Sequence, residues 1–134
     1  MIRYAQKNDL EQLRKLDQHL APSELEQCIR DGHVLVLIRQ ELVGCLRYNL
    51  FWDNLPFMNL LFLAEDERGK GYGTQLIQFW EEEMRRQQHR SVMISTRSDK
   101  QAQFFYRKHG YVDCGALLLP GEPLEILLSK RLPG

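Results

Sequence analysis

Cysteine is scarce in this chain: three in 134 residues, Cys28, Cys45 and Cys114. An odd number, widely spaced, argues against a disulfide framework, and no two have the spacing of metal ligands. His19, His33, His89 and His109 do not cluster with them either. Free thiols in a reducing compartment and no bound metal are therefore expected. An excess of one charge is also lacking, since Lys plus Arg and Asp plus Glu each number 18. A general nucleic-acid or anionic-membrane binder needs a basic surplus, so neither partner is expected. No apolar run approaches the ~18 residues of a membrane span. No apolar stretch of a signal peptide follows Met1-Ile2-Arg3-Tyr4-Ala5. These absences predict a cytoplasmic protein, with monomer and homodimer both left open.

What is present is an ordinary globular composition, 43% apolar and 27% charged. No repeat, linker or low-complexity segment interrupts it, so residues 1–134 read as a single domain large enough to bury a core. Ile2 to Gln6 reads as a strand. Asn8 with Glu11 makes a capping-box pattern ahead of a helix lined by Leu10, Leu13, Leu16 and Leu20. Ser23 with Glu26 repeats the pattern for a short helix that Gly32 closes. Strands follow at His33 to Arg39 and Leu42 to Trp52. An Asp53-Asn54-Leu55-Pro56 turn leads into a strand from Phe57 to Leu63. A helix from Thr74 to about Gln88 buries Leu76, Ile77, Trp80 and Met84. Beyond it come a strand at Ser91 to Thr96, a helix at about Lys100 to His109, and strands at Tyr111 to Leu119 and Leu124 to Lys130. The order β-α-α-β-β-β-α-β-α-β-β is mixed α/β, with hairpins early and a βαβ crossover in the middle.

Arg68-Gly69-Lys70-Gly71-Tyr72-Gly73 lies between a strand and a helix. Glycines there let a ligand approach the backbone and permit φ > 0. The helix start aims unpaired N–H groups and a positive dipole end at any anion held there, while Arg68 and Lys70 add charge. The dinucleotide fingerprint fails, because Thr74 stands where its third glycine belongs, and the P-loop spacing occurs nowhere.

The pattern that fits is [QR]-x-x-G-x-[GA], the acetyl-CoA pyrophosphate loop of the GCN5-related N-acetyltransferases, the GNAT family. Ala102-Gln103-Phe104-Phe105-Tyr106-Arg107-Lys108-His109-Gly110-Tyr111 resembles that family's second signature, A-x-x-[FL]-Y-x-[KR]-x-G-[FY]. The element order is similar as well. The resemblance implies a GNAT-like mixed sheet with two splayed central parallel strands, the Phe57 and Ser91 strands, and acetyl-CoA between them.

The same resemblance gives each residue a role. The coenzyme phosphates would sit on the backbone amides of Gly69, Lys70, Gly71, Tyr72, Gly73 and Thr74. Main-chain groups of Leu61, Phe62 and Leu63 would pair with the pantetheine arm, with an amide near Leu63 facing the thioester carbonyl. Phe105 would lie against that arm. Tyr106, four residues after Ala102, would protonate the leaving thiolate. Asp99 replaces the asparagine of many relatives, so it either contacts the coenzyme arm or only caps the helix. Where some relatives carry a glutamate base, this chain has Phe57 and Ile94, and no residue is assigned as base. Glu65, Asp66 and Glu67 read as solvated turn residues. The implied activity is direct transfer of an acetyl group from acetyl-CoA to a primary amine of an unidentified small molecule or protein. The alternative is a catalytically degenerate, coenzyme-A-binding regulatory module.

Overall fold

The computed structural model describes residues 1–134. Its elements are β1 (Ile2–Tyr4), α1 (Leu10–Leu16), α2 (Pro22–Arg30), β2 (Val34–Ile38), β3 (Leu42–Phe51), β4 (Leu55–Leu63), α3 (Tyr72–Arg86), β5 (Ser91–Arg97), α4 (Ala102–Lys108), β6 (Val112–Leu117) and β7 (Glu125–Arg131). The order is the expected one, with 3-10 turns added at Lys7–Asp9 and Glu65–Glu67. Hydrogen bonding places the strands in the order β1-β2-β3-β4-β5-β7-β6. β4 and β5 pair in parallel, at Phe57↔Met93 and Met58↔Ile94. The β1–β2, β2–β3, β5–β7 and β6–β7 pairs are antiparallel. No helix is long and apolar enough to cross a membrane.

Contacts group the chain into two units, Met1–Asn49 with Asn59–Glu83, and Leu50–Met58 with Met84–Gly134. In the first, the leucine face of α1 meets α2 and the sheet. Leu13, Leu25, Ile29, Val34, Val36, Leu42 and Cys45 form a buried cluster, with Leu10, Leu16, Leu20, Leu60 and Phe62 packed against it. Each fully buried aliphatic side chain there contributes ~1.5–3 kcal/mol. Asp17 ends α1 within this unit, and its carboxylate accepts from Arg47 Nε of β3 at 2.5 Å. Both side chains are largely enclosed, so each charge depends on the other. In the second unit Val92, Met93, Ile94, Tyr111, Ile126, Leu128 and Leu132 are buried. Here β6 is an edge strand whose six residues are all exposed.

Several local expectations are corrected. The first capping box uses Gln6 and Asp9, not Asn8 and Glu11. The Asp9 carboxylate accepts from Gln6 N–H at 2.7 Å, and Arg3 reaches its two oxygens at 2.8 and 3.1 Å. A fixed guanidinium outcompetes the weaker local pattern, and it holds the Asp9 carboxyl below the usual carboxylate range. Ser23 does not cap α2, because the helix begins two residues earlier than such a cap would require, at Pro22, with Ala21 as its N-cap. Proline suits that first helical position, where no intrahelical N–H bond is lost. Gly32 does close α2 as expected: at φ +75° its N–H reaches Ile29 O, while His33 N–H reaches Cys28 O.

The hairpin turn after β3 also moves. Trp52 and Asp53 have φ of 55° and 67°, and Asn54 N–H reaches Phe51 O at 3.3 Å, the geometry of a type I′ turn. Leu55 and Pro56 therefore belong to β4.

Candidate active site

The candidate residues fall into two groups, one in each unit. Leu61, Phe62, Leu63 and Arg68 to Thr74 belong to the first, and Asp99, Phe105 and Tyr106 to the second.

In the first unit β4 delivers the chain to the glycine loop. Phe62 leans on the α1–α2 cluster. Ala64 N–H bonds Val43 O at 2.8 Å, tying the exit of β4 to β3. Gly44 makes this close pairing possible. A Cβ added there would meet Leu63 Cδ2 at 2.7 Å and Phe62 O at 3.1 Å.

The loop has the conformation its glycines allow. Gly69 and Gly71 have φ of 74° and 87°, and a Cβ on either would meet nothing within 4 Å. Space thus stands open beside the backbone at both positions. α3 begins at Tyr72, two residues earlier than the pattern predicts, and Gln75 N–H bonds Gly71 O at 3.1 Å. Gly71 is therefore the N-cap, and Tyr72, Gly73 and Thr74 form the first turn of a 15-residue helix instead of a loop. Backbone N–H groups at the head of such a helix suit a phosphate.

The two cations are already engaged with protein groups. Arg68 folds back along β4, its Nε donating to Leu63 O at 3.0 Å and its guanidinium lying 5.4 Å from the centre of the Phe62 ring. Lys70 Nζ lies 3.6 Å from Glu67 Oε2. Glu67 is not the solvated turn residue the sequence suggests. Its side chain is 18% exposed and Oε2 is fully enclosed, with Arg39 Nε at 3.8 Å.

In the second unit α4 carries the other candidates. Phe105 meets Tyr106 edge-on at 5.3 Å between ring centres and lies 4.5 Å from the tilted ring of His109. Tyr106 also meets Tyr111 edge-on at 6.0 Å. Gly110, at φ +93°, ends the helix as expected, with Tyr111 N–H returning to Tyr106 O at 3.1 Å. Burial of the Tyr106 ring pushes its hydroxyl up to about 12. The helix is shorter than expected and its N-cap is Gln101, so Asp99 does not cap it. Asp99 instead accepts from Arg97 Nη2 at 3.1 Å in an exposed ion pair. An adjacent guanidinium on the end of β5 draws the carboxylate away from the helix start.

Comparison with known proteins decides the family. The family model described as acetyltransferase (GNAT) matches residues 3–111. The chain belongs to the GNAT family. No match among curated proteins reaches significance. Among solved structures, Ard1 from Thermoplasma volcanium is similar with a TM-score of 0.87 at 19% identity, over 100% of this chain and 98% of that one. Ribosomal-protein-alanine N-acetyltransferase from Brucella melitensis gives a TM-score of 0.80 at 23% identity, over 98% of this chain and 99% of its own. N-acetylglutamate synthase from Neisseria gonorrhoeae, complexed with coenzyme A and N-acetyl-glutamate, gives 0.80 at 17% identity, over 100% of this chain and 35% of that one. At these identities the structural likeness establishes the GNAT fold.

Two features of this GNAT chain escape sequence reasoning. Arg39, in the turn between β2 and β3, lies with its guanidinium 5.0 Å from the centre of the Tyr72 ring and beside Glu67. The Asp17–Arg47 pair joins positions 30 residues apart. Neither has a local pattern, since each meeting depends on how β2, β3 and their neighbours register.

Proposed function

We propose that the protein transfers an acetyl group from acetyl-CoA directly to a primary amine, with a peptide α-amine as the first acceptor to test. The observation that carries this is the glycine loop: an open backbone at Gly69 and Gly71 running straight into the head of α3, in a chain of the GNAT family. Amides there suit the coenzyme phosphates, and a cytoplasmic supply of acetyl-CoA fits the reducing compartment expected from the cysteines.

The chemistry asks little of the protein. The neutral amine attacks the thioester carbonyl carbon, the C–N bond forms, and the C–S bond breaks. The departing thiolate takes a proton, for which Tyr106 is the proposed donor, and the surplus amine proton leaves to water. Phe57 packs against Phe51 at 6.3 Å between ring centres, so an apolar contact stands where some relatives carry a carboxylate. Without such a base the favoured acceptor is an amine that is neutral near pH 7. A peptide α-amine, with pKa ~7.7–8.0, meets that demand far better than a lysine side chain at ~10.4. The action of the Brucella relative on a ribosomal-protein alanine points to the same class of amine.

The thiols support direct transfer. Burial raises Cys28, and it pushes Cys45 up to about 12, so neither is an available thiolate at neutral pH. Cys114 sits on exposed β6, outside both signatures.

Mass spectrometry tests the proposal. Protein, acetyl-CoA and a peptide with a free alanine N-terminus and an internal lysine should yield peptide acetylated at the α-amine. Protein with acetyl-CoA alone should carry no stoichiometric acetyl-cysteine. A hydrolysable, kinetically competent acetyl-cysteine would overturn direct transfer. Acetylation confined to the lysine would overturn the choice of acceptor.

A further inference from the structure

The glycine loop is costly to order. Glycine loses more backbone freedom than any other residue when it is fixed, and Gly69 and Gly71 both hold positive φ. A loop that must present several amides to one ligand binds more tightly when its shape is set beforehand. The helix start fixes only the C-terminal side.

One residue outside the motif touches both flanks of this loop. Arg39 projects from the β2–β3 turn. Its Nε lies 3.8 Å from Glu67 Oε2, the residue just before Arg68. Its guanidinium lies 5.0 Å from the centre of the Tyr72 ring, the residue just after Gly71. The turn that carries Arg39 is itself pinned, with Arg39 N–H bonded to Glu41 O at 2.9 Å and Ile38 N–H to Met1 O at 2.7 Å. Arg39 thus spans the base of the loop from a fixed support.

Glu67 gives the contact a second purpose. A carboxylate this close to a phosphate site repels the ligand unless its charge is met. Two cations meet it: Lys70, inside the loop, and Arg39, outside it. With Arg39 in place, Lys70 can turn to a phosphate without leaving Glu67 uncompensated. Without Arg39, the same lysine must serve both anions.

We propose that Arg39 is a positioning residue for the coenzyme phosphates, stapling Glu67 to Tyr72 across the glycine loop and neutralising Glu67 when Lys70 engages the ligand. The proposal rests on the coenzyme reading given above. The staple borders a cavity of about 870 Å³ lined by Met1, Ile38, Arg39, Gln40, Glu41, Val43 and Glu67. Its ion pair is therefore partly solvated, which keeps the effect modest.

The test compares wild type, Arg39→Ala and Arg39→Lys by calorimetry with acetyl-CoA, and by hydrogen exchange in the free proteins. Arg39→Ala should weaken acetyl-CoA roughly 3- to 10-fold, the scale of one lost cation–π contact with its ion pair. Exchange should quicken at residues 69–73 and stay unchanged across β5 and β7. Arg39→Lys keeps the charge for Glu67 but stacks less well on Tyr72, and should recover part of the affinity. Unchanged acetyl-CoA affinity in Arg39→Ala overturns the proposal alone. So does exchange that quickens throughout the chain, which marks a general loss of stability. A wild-type protein that binds no acetyl-CoA overturns the coenzyme reading and this proposal together.

Discussion

Tyr106 is a half-buried phenol proposed to serve one half of the reaction. With its hydroxyl pushed up to about 12, the group stays protonated through the whole neutral and mildly alkaline range. It is always present as a donor, but it is a reluctant acid. In the proposed reaction its contribution would be a hydrogen bond to the developing thiolate more than complete transfer ahead of bond breaking. Tyr106→Phe should lower the single-turnover rate toward the low end of the ~10²–10⁴-fold range for acid catalysis. Acetyl-CoA affinity should stay nearly unchanged, because the lost interaction is made only in the transition state. The pH profile follows from the same shift. The rate should rise with pH as an α-amine loses its proton near ~8 and then level off. No alkaline decline from Tyr106 should appear below pH ~11, because raising its pKa keeps the acid form intact there. Wild-type single-turnover rates in Tyr106→Phe would reduce the residue to a packing role.

At the scale of elements the glycine loop carries the account, and Gly71 is its most exacting position. Valine there must adopt φ near +87°, a strained conformation for a β-branched residue. No neighbouring atom lies within 4 Å of the added Cβ, so the damage to folding is confined to the backbone. That strain is about 1–2 kcal/mol. Gly71→Val should therefore melt a few degrees lower yet remain folded, while calorimetry shows acetyl-CoA binding lost. Retained affinity in the folded variant would remove the loop from the coenzyme site. The loop, the element order and the Gly32 and Gly110 helix ends were legible in the sequence because each depends on spacing within a few residues. The buried stripe of Leu76, Ile77, Trp80 and Met84 was legible for the same reason, and all four are fully buried. Helix starts were less so. Asn8, Ser23 and Asp99 all have capping chemistry, but Arg3 organises the first start, Pro22 the second, and Arg97 diverts Asp99 from the last. Arg39 and Glu67 were illegible, since nothing local tells a turn arginine that its guanidinium will lie beside a carboxylate 28 residues away.

For the whole molecule, the formal charge is zero and no helix is long and apolar enough to cross a membrane. The family supplies the chemistry, and the parts proposed for this chain are the loop, its staple and the phenol. The acceptor was the least legible part, because an amine that is already partly neutral near pH 7 requires no conspicuous base. Everything in the account depends on acetyl-CoA as the ligand, and thermal unfolding of the wild-type protein with increasing acetyl-CoA tests this most directly. At a hundred times its dissociation constant the ligand should add ~2.7 kcal/mol, several degrees for a domain of this size. An unfolding midpoint that stays fixed up to millimolar acetyl-CoA would contradict the account.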